Sequence, residues 1–258
     1  MSRVIVIANQ KGGVAKTTTT VNLGIGLARK GMKVLVIDND PQSSLTVALG
    51  FHHPERLEYT MTSVLNKVID EEEFDPRECI IHHKEGVDLL PSNATLNSIE
   101  SSLLNVVSGE KILGEYLDMI KADYDFILID CSPNLGMLTF NALAAGDEVI
   151  IPVLAEFLPA KGLELLLTTI KQIQKRANRE LVIKGILITM VDARTNFARD
   201  VTKLLKDSYG DRIYIFENMI PNSVRAAEAS ATGSSIFLHD PKGTVAAAYD
   251  ALTWEVMA

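Results

Sequence analysis

A doubly wound α/β sheet, mostly parallel and with helices on both faces, is the fold class this sequence predicts. Three observations predict it. Short apolar runs rich in β-branched residues recur at 4–8, 34–37, 126–129, 149–153, 185–190 and 213–216. They are nearly continuous rather than alternating, as in parallel strands buried on both faces. Between them lie stretches of helical period, and strand–helix alternation builds βαβ units.

Taken in order, the run at 4–8 leads through a glycine-rich turn into a helix. Val21, Gly24, Ile25 and Ala28 share one face of that helix, and Gly31 ends it. The run at 34–37 is the second strand. Residues 51–120 are less regular, with an acidic run at 70–73 and a strand pair around 79–82 and 87–90. They read as a variable insertion that decorates the sheet, within one domain spanning 1–258. After the runs at 126–129 and 149–153, Leu163, Leu166, Leu167, Ile170 and Ile173 mark a helix, with Lys171, Lys175 and Arg176 mostly opposite. Residues 244–258 read as a terminal helix, with Trp254 and Met257 in core contacts.

Composition supports a large core: of 258 residues, 47% are hydrophobic and 22% charged. No signal peptide is expected, and no run approaches the roughly 20 apolar residues of a membrane span. Two cysteines, Cys79 and Cys131, make no disulfide framework and fit a reducing cytoplasm. The net charge of −8 is unevenly spread. Residues 1–160 carry 12 basic and 22 acidic side chains, residues 161–225 carry 12 and 7, and residues 226–258 carry 1 and 4. The basic stretch is either a phosphate-binding face or an ordinary solvated surface. The pairs His52-His53 and His82-His83 read as surface or turn residues, because neighbours on a strand point to opposite faces.

In such a sheet the ligand lies beyond the carboxyl ends of the strands. Asn9, Asp38, Asp130 and Asp192 end the runs, and Asp40 follows Asp38. After the first strand comes Lys11-Gly12-Gly13-Val14-Ala15-Lys16-Thr17-Thr18. Its glycines let backbone N–H groups turn inward on phosphate oxygens, and the helix that follows adds its positive end. Lys16 is placed for the β- and γ-phosphates and the Thr17 hydroxyl for magnesium. These residues point to a P-loop that binds ATP with Mg2+.

The strict Walker A pattern fails at Gln10 and Ala15, where it has glycine. The deviant form, Lys-Gly-Gly-x-x-Lys-Thr-Thr, is met, and here the sequence resembles the ParA/MinD family of ATPases. The segment 38–42, Asp-Asn-Asp-Pro-Gln, resembles that family's switch I, and 126–133 resembles its Walker B and switch II. The resemblance implies that Asp40 orients the attacking water and that Asp130 holds magnesium, with Thr17 and Asp40 beside it. It implies that Lys11 reaches the partner's phosphates across an ATP-dependent homodimer. Taken singly, each aspartate has a plainer role as a strand-end turn residue or helix cap. Ala15 costs about 1 kcal/mol if its φ is positive and nothing if it is helical.

Within the family, the late segment 220–229 resembles the ParA/Soj branch, and Arg225 matches its DNA-contacting arginine. The plainer reading of Arg225 is a surface pair with Glu228. Residues 189–195 resemble a Soj-type segment, and Met190, Asp192 and Pro221 fall in loops resembling the family's base-binding ones. That branch implies a ParB-like partner, non-specific double-stranded DNA and a cytoplasmic, nucleoid-associated protein. No reading domain is expected ahead of the loop, so DNA binding should be non-specific and salt-sensitive. A MinD-like membrane cycle fits poorly, because residues 244–258 contain no Lys or Arg. A cysteine-bridged reductase and a ligase with a second substrate pocket are weaker still. Positioning of a protein cargo is the alternative that sequence leaves open.

Overall fold

The computed structural model describes residues 2–155, 160–192 and 196–258. β1 (Arg3–Ile7), α1 (Lys16–Arg29), β2 (Val34–Asn39) and α2 (Ser44–Ala48) come first. Residues 51–120 supply α3 (Met61–Ile69), β3 (Ile81–His82), β4 (Asp88–Leu90), α4 (Leu96–Asn105) and α5 (Ile112–Ile120). Then follow β5 (Phe126–Cys131), α6 (Met137–Ala145), β6 (Glu148–Leu154), α7 (Ala160–Arg176), β7 (Val182–Thr189) and α8 (Asn196–Tyr209). The chain continues with α9 (Val224–Ala231), α10 (Ile236–His239) and α11 (Thr244–Met257).

The seven strands lie in the order β3-β4-β2-β5-β1-β6-β7. Every described pairing is parallel except β3 with β4. The expected doubly wound α/β sheet is therefore present. The middle stretches of its long strands are apolar because both faces are covered. Val4 and Val6 face one core with the helices α3 to α7, while Ile5 and Ile7 face the other with α1 and α11. Burying each such side chain contributes about 1.5–3 kcal/mol. Gly24 brings α1 close to the sheet: a Cβ there would stand 2.8 Å from Val36 Cγ1.

Residues 51–120 do more than hang on an edge. β4 extends the parallel sheet, with Leu35 to Ile37 in register with Asp88 to Leu90. α3, α4 and α5 bury Leu65, Ile99 and Tyr116 in the core that β1 and β5 share.

Three local expectations are corrected. Residues 213–216 form only an isolated bridge, Ile186 with Ile215. The chain is pulled off the sheet edge just afterwards, where the Glu255 carboxylate accepts the amides of Glu217 (2.7 Å) and Asn218 (3.2 Å). Trp254 is no core residue: it is 56% exposed, with the Lys30 ammonium 4.6 Å from its ring centre. Val245, Tyr249, Leu252 and Val256 form the buried stripe of α11 and leave Trp254 outside it. His83 does open a turn, with its carbonyl accepting the Gly86 amide (2.9 Å), but it is buried rather than superficial, because it continues the β3–β4 hairpin inward (His83 N to Val87 O, 2.8 Å). Burial holds its pKa below the usual histidine range.

Candidate functional site

β1, β2 and β5 lie side by side, so their carboxyl ends deliver Asn9, Asp38, Asp40 and Asp130 to one edge. Asp38 and Asp130 are register partners, and both are almost wholly buried. Burial pushes the Asp130 carboxyl up to about 8, helped by the nearby Asp38. It likewise pushes Asp38 up to about 7.

The loop from 9 to 15 is pinned by its own side chains. Asn9 donates to Pro152 O (2.7 Å) and accepts the Lys11 amide (3.0 Å). Val14 is buried, and its carbonyl accepts the Thr189 hydroxyl from the end of β7 (3.1 Å). Gly13 has φ +71, a conformation that glycine adopts without strain. Cβ atoms placed at Gly12 and Gly13 would meet no heavy atom within 4 Å, so the space beside the loop is open. Ala15 adopts the left-handed conformation, φ 63 and ψ 32, and no side chain caps α1. The first amides of α1 are thereby left for another acceptor.

Lys16 is buried at the loop, its ammonium donating to Lys11 O (3.2 Å). Burial lowers its pKa, opposed by Asp130 and Asp40. The Thr17 hydroxyl donates to Asp130 Oδ2 (2.6 Å), and Thr20 reaches Oδ1 (3.3 Å). Asp40 is buried, and its Oδ1 accepts the Gln42 amide (2.9 Å). Thr18 sits in the first turn of α1, its carbonyl accepting Asn22 Nδ2 (2.7 Å). A cavity of about 670 Å³ opens over this edge, lined among others by Gly12, Gly13, Lys16, Thr17, Asp40 and Met190.

Of the three base-loop candidates, Met190 lines that cavity, with φ 53 and 42% exposure. Asp192 and Pro221 stand beside it without lining it, because Val191 bridges to Pro221 and accepts the Asn222 amide (3.0 Å). The rest of the Soj-like segment, 193–195, lies outside the described residues. Arg225 lies in the first turn of α9, paired with Glu228 at 2.9 Å and exposed. The far end of the same helix, Ser230 and Ala231, lines the cavity. Both cysteines are buried, which pushes their thiols up to about 11 at Cys79 and about 12 at Cys131. Among the described residues no helix is long and apolar enough to cross a membrane.

Sequence reasoning singled out neither Thr20 nor Thr189 as a site residue. Thr20 was legible as a second hydroxyl three residues after Thr17 on one helix face. Thr189 carries no such signal, because its contact with Val14 depends on how β7 docks.

A family model described as an AAA domain matches residues 2–183. The chain is 41% identical over its whole length to the sporulation initiation inhibitor protein Soj of Bacillus subtilis, covering 99% of that protein. It is 36% identical, over 99% of itself and 94% of the relative, to the chromosome partitioning protein ParA of Caulobacter vibrioides. Among solved structures, it is similar to a cobyrinic acid a,c-diamide synthase from Mycobacterium smegmatis with bound ATP analog and magnesium. That likeness has TM-score 0.88 and 35% identity, over 100% of this chain and 94% of the other.

Proposed function

The chain belongs to the Soj/ParA family of partitioning ATPases, and on that premise we propose that it works as an ATP-dependent segregation switch in the cytoplasm. It binds ATP with magnesium, dimerises, holds double-stranded DNA non-specifically, and hydrolyses ATP slowly under stimulation by a ParB-like partner. The observation that carries this reading is the convergence of Lys16, Thr17 and Asp40 on one cavity under an uncapped helix start, with Asp130 bonded to Thr17 just beneath it.

The residues fit the proposed groups. Cβ atoms at Gly12 and Gly13 would meet no heavy atom within 4 Å, which leaves room at the loop for a phosphate. Thr17 and Asp130 offer hard oxygen ligands for magnesium, with Asp40 close enough to Lys16 to act on its charge. Magnesium, when bound, would supply positive charge that offsets the charge developing on the phosphates. Lys16 holds the β- and γ-phosphates. Asp40 orients the attacking water and accepts its proton. Lys11, the extra lysine of the deviant Walker A loop, supplies charge to the partner's phosphates. Met190 flanks the base, with Asp192 and Pro221 behind it.

For DNA, Arg225 on α9 offers one positive charge, and Arg199, Lys203 and Lys206, exposed on α8, offer three more around a cleft that Asp207, Val191 and Met219 also line. α11 carries neither Lys nor Arg, which speaks against a MinD-like anionic membrane anchor. Small residues of α2 and α9, Ala48 and Ala231 among them, form part of the cavity wall.

Retention of the purified chain on non-specific duplex DNA tests the reading, with ATP, ADP or no nucleotide at two salt concentrations. Retention only with ATP, lost at higher salt, is the expected result. Lys11→Ala should still bind ATP yet form no ATP-dependent dimer by light scattering. ATP binding without DNA retention in any state would move the function to positioning a protein cargo.

A further inference from the structure

α2 starts four residues after Asp40, and its third residue, Thr46, is fully buried. Thr46 spends both of its donors on one atom: its amide (2.8 Å) and its hydroxyl (2.7 Å) both reach Asp38 Oδ2. The other oxygen of Asp38 accepts the Asp40 amide (3.2 Å). The Thr46 hydroxyl oxygen in turn accepts the amide of Ser92, just past β4 (3.0 Å). Ser92 is itself fully buried, and the carbonyl before it, Pro91 O, accepts the Met61 amide at the start of α3 (2.8 Å). One hydroxyl therefore connects the neighbouring strand to the carboxylate that holds the backbone of Asp40. A buried relay of this kind is rigid when every member is satisfied and costly when one is removed.

We infer that Thr46 is a positioning residue for hydrolysis. Through Asp38 it fixes the Asp40 main chain, and so its carboxylate, at the phosphate edge. Through Ser92 it fastens that edge to β4. Thr46 touches no reacting atom and needs none: its effect passes through the Asp40 backbone. The inference rests on the proposed role of Asp40 in orienting water.

The test uses the full-length chain carrying Thr46→Val or Thr46→Ser. Valine keeps the shape and the backbone amide on Asp38 but deletes the hydroxyl that joins Asp38 to Ser92, whereas serine keeps that hydroxyl. Misplacing a catalytic group costs rate rather than binding, so Thr46→Val should lower kcat about tenfold, with KM and the Kd of a non-hydrolysable ATP analogue within about threefold. Thr46→Ser should recover kcat to within about twofold of the parent, because it restores the relay. Amide hydrogen exchange, read without nucleotide, should speed up at Asp40 and Ser92 in Thr46→Val and stay unchanged along β1 and β5. A valine variant with normal kcat, or a serine variant as slow as valine, overturns the inference. If Thr46→Val does not fold, exchange in the parent chain decides: Asp40 and Ser92 must be protected together, and fast exchange at Asp40 overturns it. Asp40→Ala separates the two ideas. If it leaves kcat intact, the reading of Asp40 falls. If it abolishes turnover while Thr46→Val does not reduce it, only the inference falls.

Discussion

The carboxyl edge of β1, β2 and β5 and the outer face of α9 both carry charges that matter to the proposed cycle, but they hold them differently. At the strand edge, Asp38 and Asp130 are 0% and 1% exposed, and their oxygens are bonded to threonine hydroxyls and backbone amides. On α9, the Arg225 side chain pairs with Glu228 at the exposed surface. A buried carboxylate without partners is so costly that its surroundings must declare what it binds. An exposed arginine costs nothing to leave in water, so the fold around it declares little. The first region can be read from structure, and the second only by adding its ligand.

Asp40→Ala breaks this comparison most severely. If the buried edge is catalytic, turnover should fall by about 100-fold or more, the usual contribution of a positioned base. Binding of a non-hydrolysable ATP analogue should persist within a few-fold, because Asp40 does not belong to the phosphate cradle. Steady-state ATPase assays beside analogue titration measure both. A loss below tenfold would make Asp40 a turn residue whose carboxylate merely accepts the Gln42 amide.

Arg225→Ala has the smaller expected effect and sharpens the other side. Each lost phosphate contact should flatten the slope of log K against log salt by about 1, hence by about 2 for a dimer. Glu228→Gln removes the acidic neighbour of Arg225 and should move ATP-dependent DNA retention the opposite way. Equal retention by the parent and both variants, across a salt series, would reduce Arg225 to the surface pair that the structure shows.

The same contrast explains what the sequence revealed. Buried parallel strands must be apolar, and a carboxylate that interrupts such a run at its end stands out, which made Asp38, Asp130 and the sheet legible. The loop 11–18 was legible because glycines, Lys16 and Thr17 occupy positions fixed by the strand before and the helix after. Residues 51–120 were not. Their strands, β3 and β4, are only two and three residues long, so period carries little information there. Thr46 and Ser92 were illegible for a different reason: they meet across 46 positions of sequence, and only the docking of β4 beside β2 brings them together. Trp254 misled because an aromatic residue near a chain end reads as core until the opposite stripe of α11 is seen to be the buried one.

The subtlest test concerns the main chain of the loop. Five described non-glycine residues have positive φ, and three of them, Ala15, Ser43 and Met190, lie at or beside the cavity. Strain of this kind gathers where function over-determines the backbone. At Ala15 the left-handed conformation costs roughly 1–2 kcal/mol that glycine would not incur. Glycine in turn gives the unfolded chain more freedom, which offsets about 0.4–1 kcal/mol of that relief. Ala15→Gly should therefore stabilise the chain by up to about 1.5 kcal/mol, raising Tm by about 2–4 °C in calorimetry without nucleotide. If ATP-bound loops need the same left-handed turn, the Tm rise should be equal with and without nucleotide. A rise confined to the nucleotide-bound protein would mean that Ala15 leaves that conformation when the cradle is empty, and that phosphate binding itself draws it into the turn.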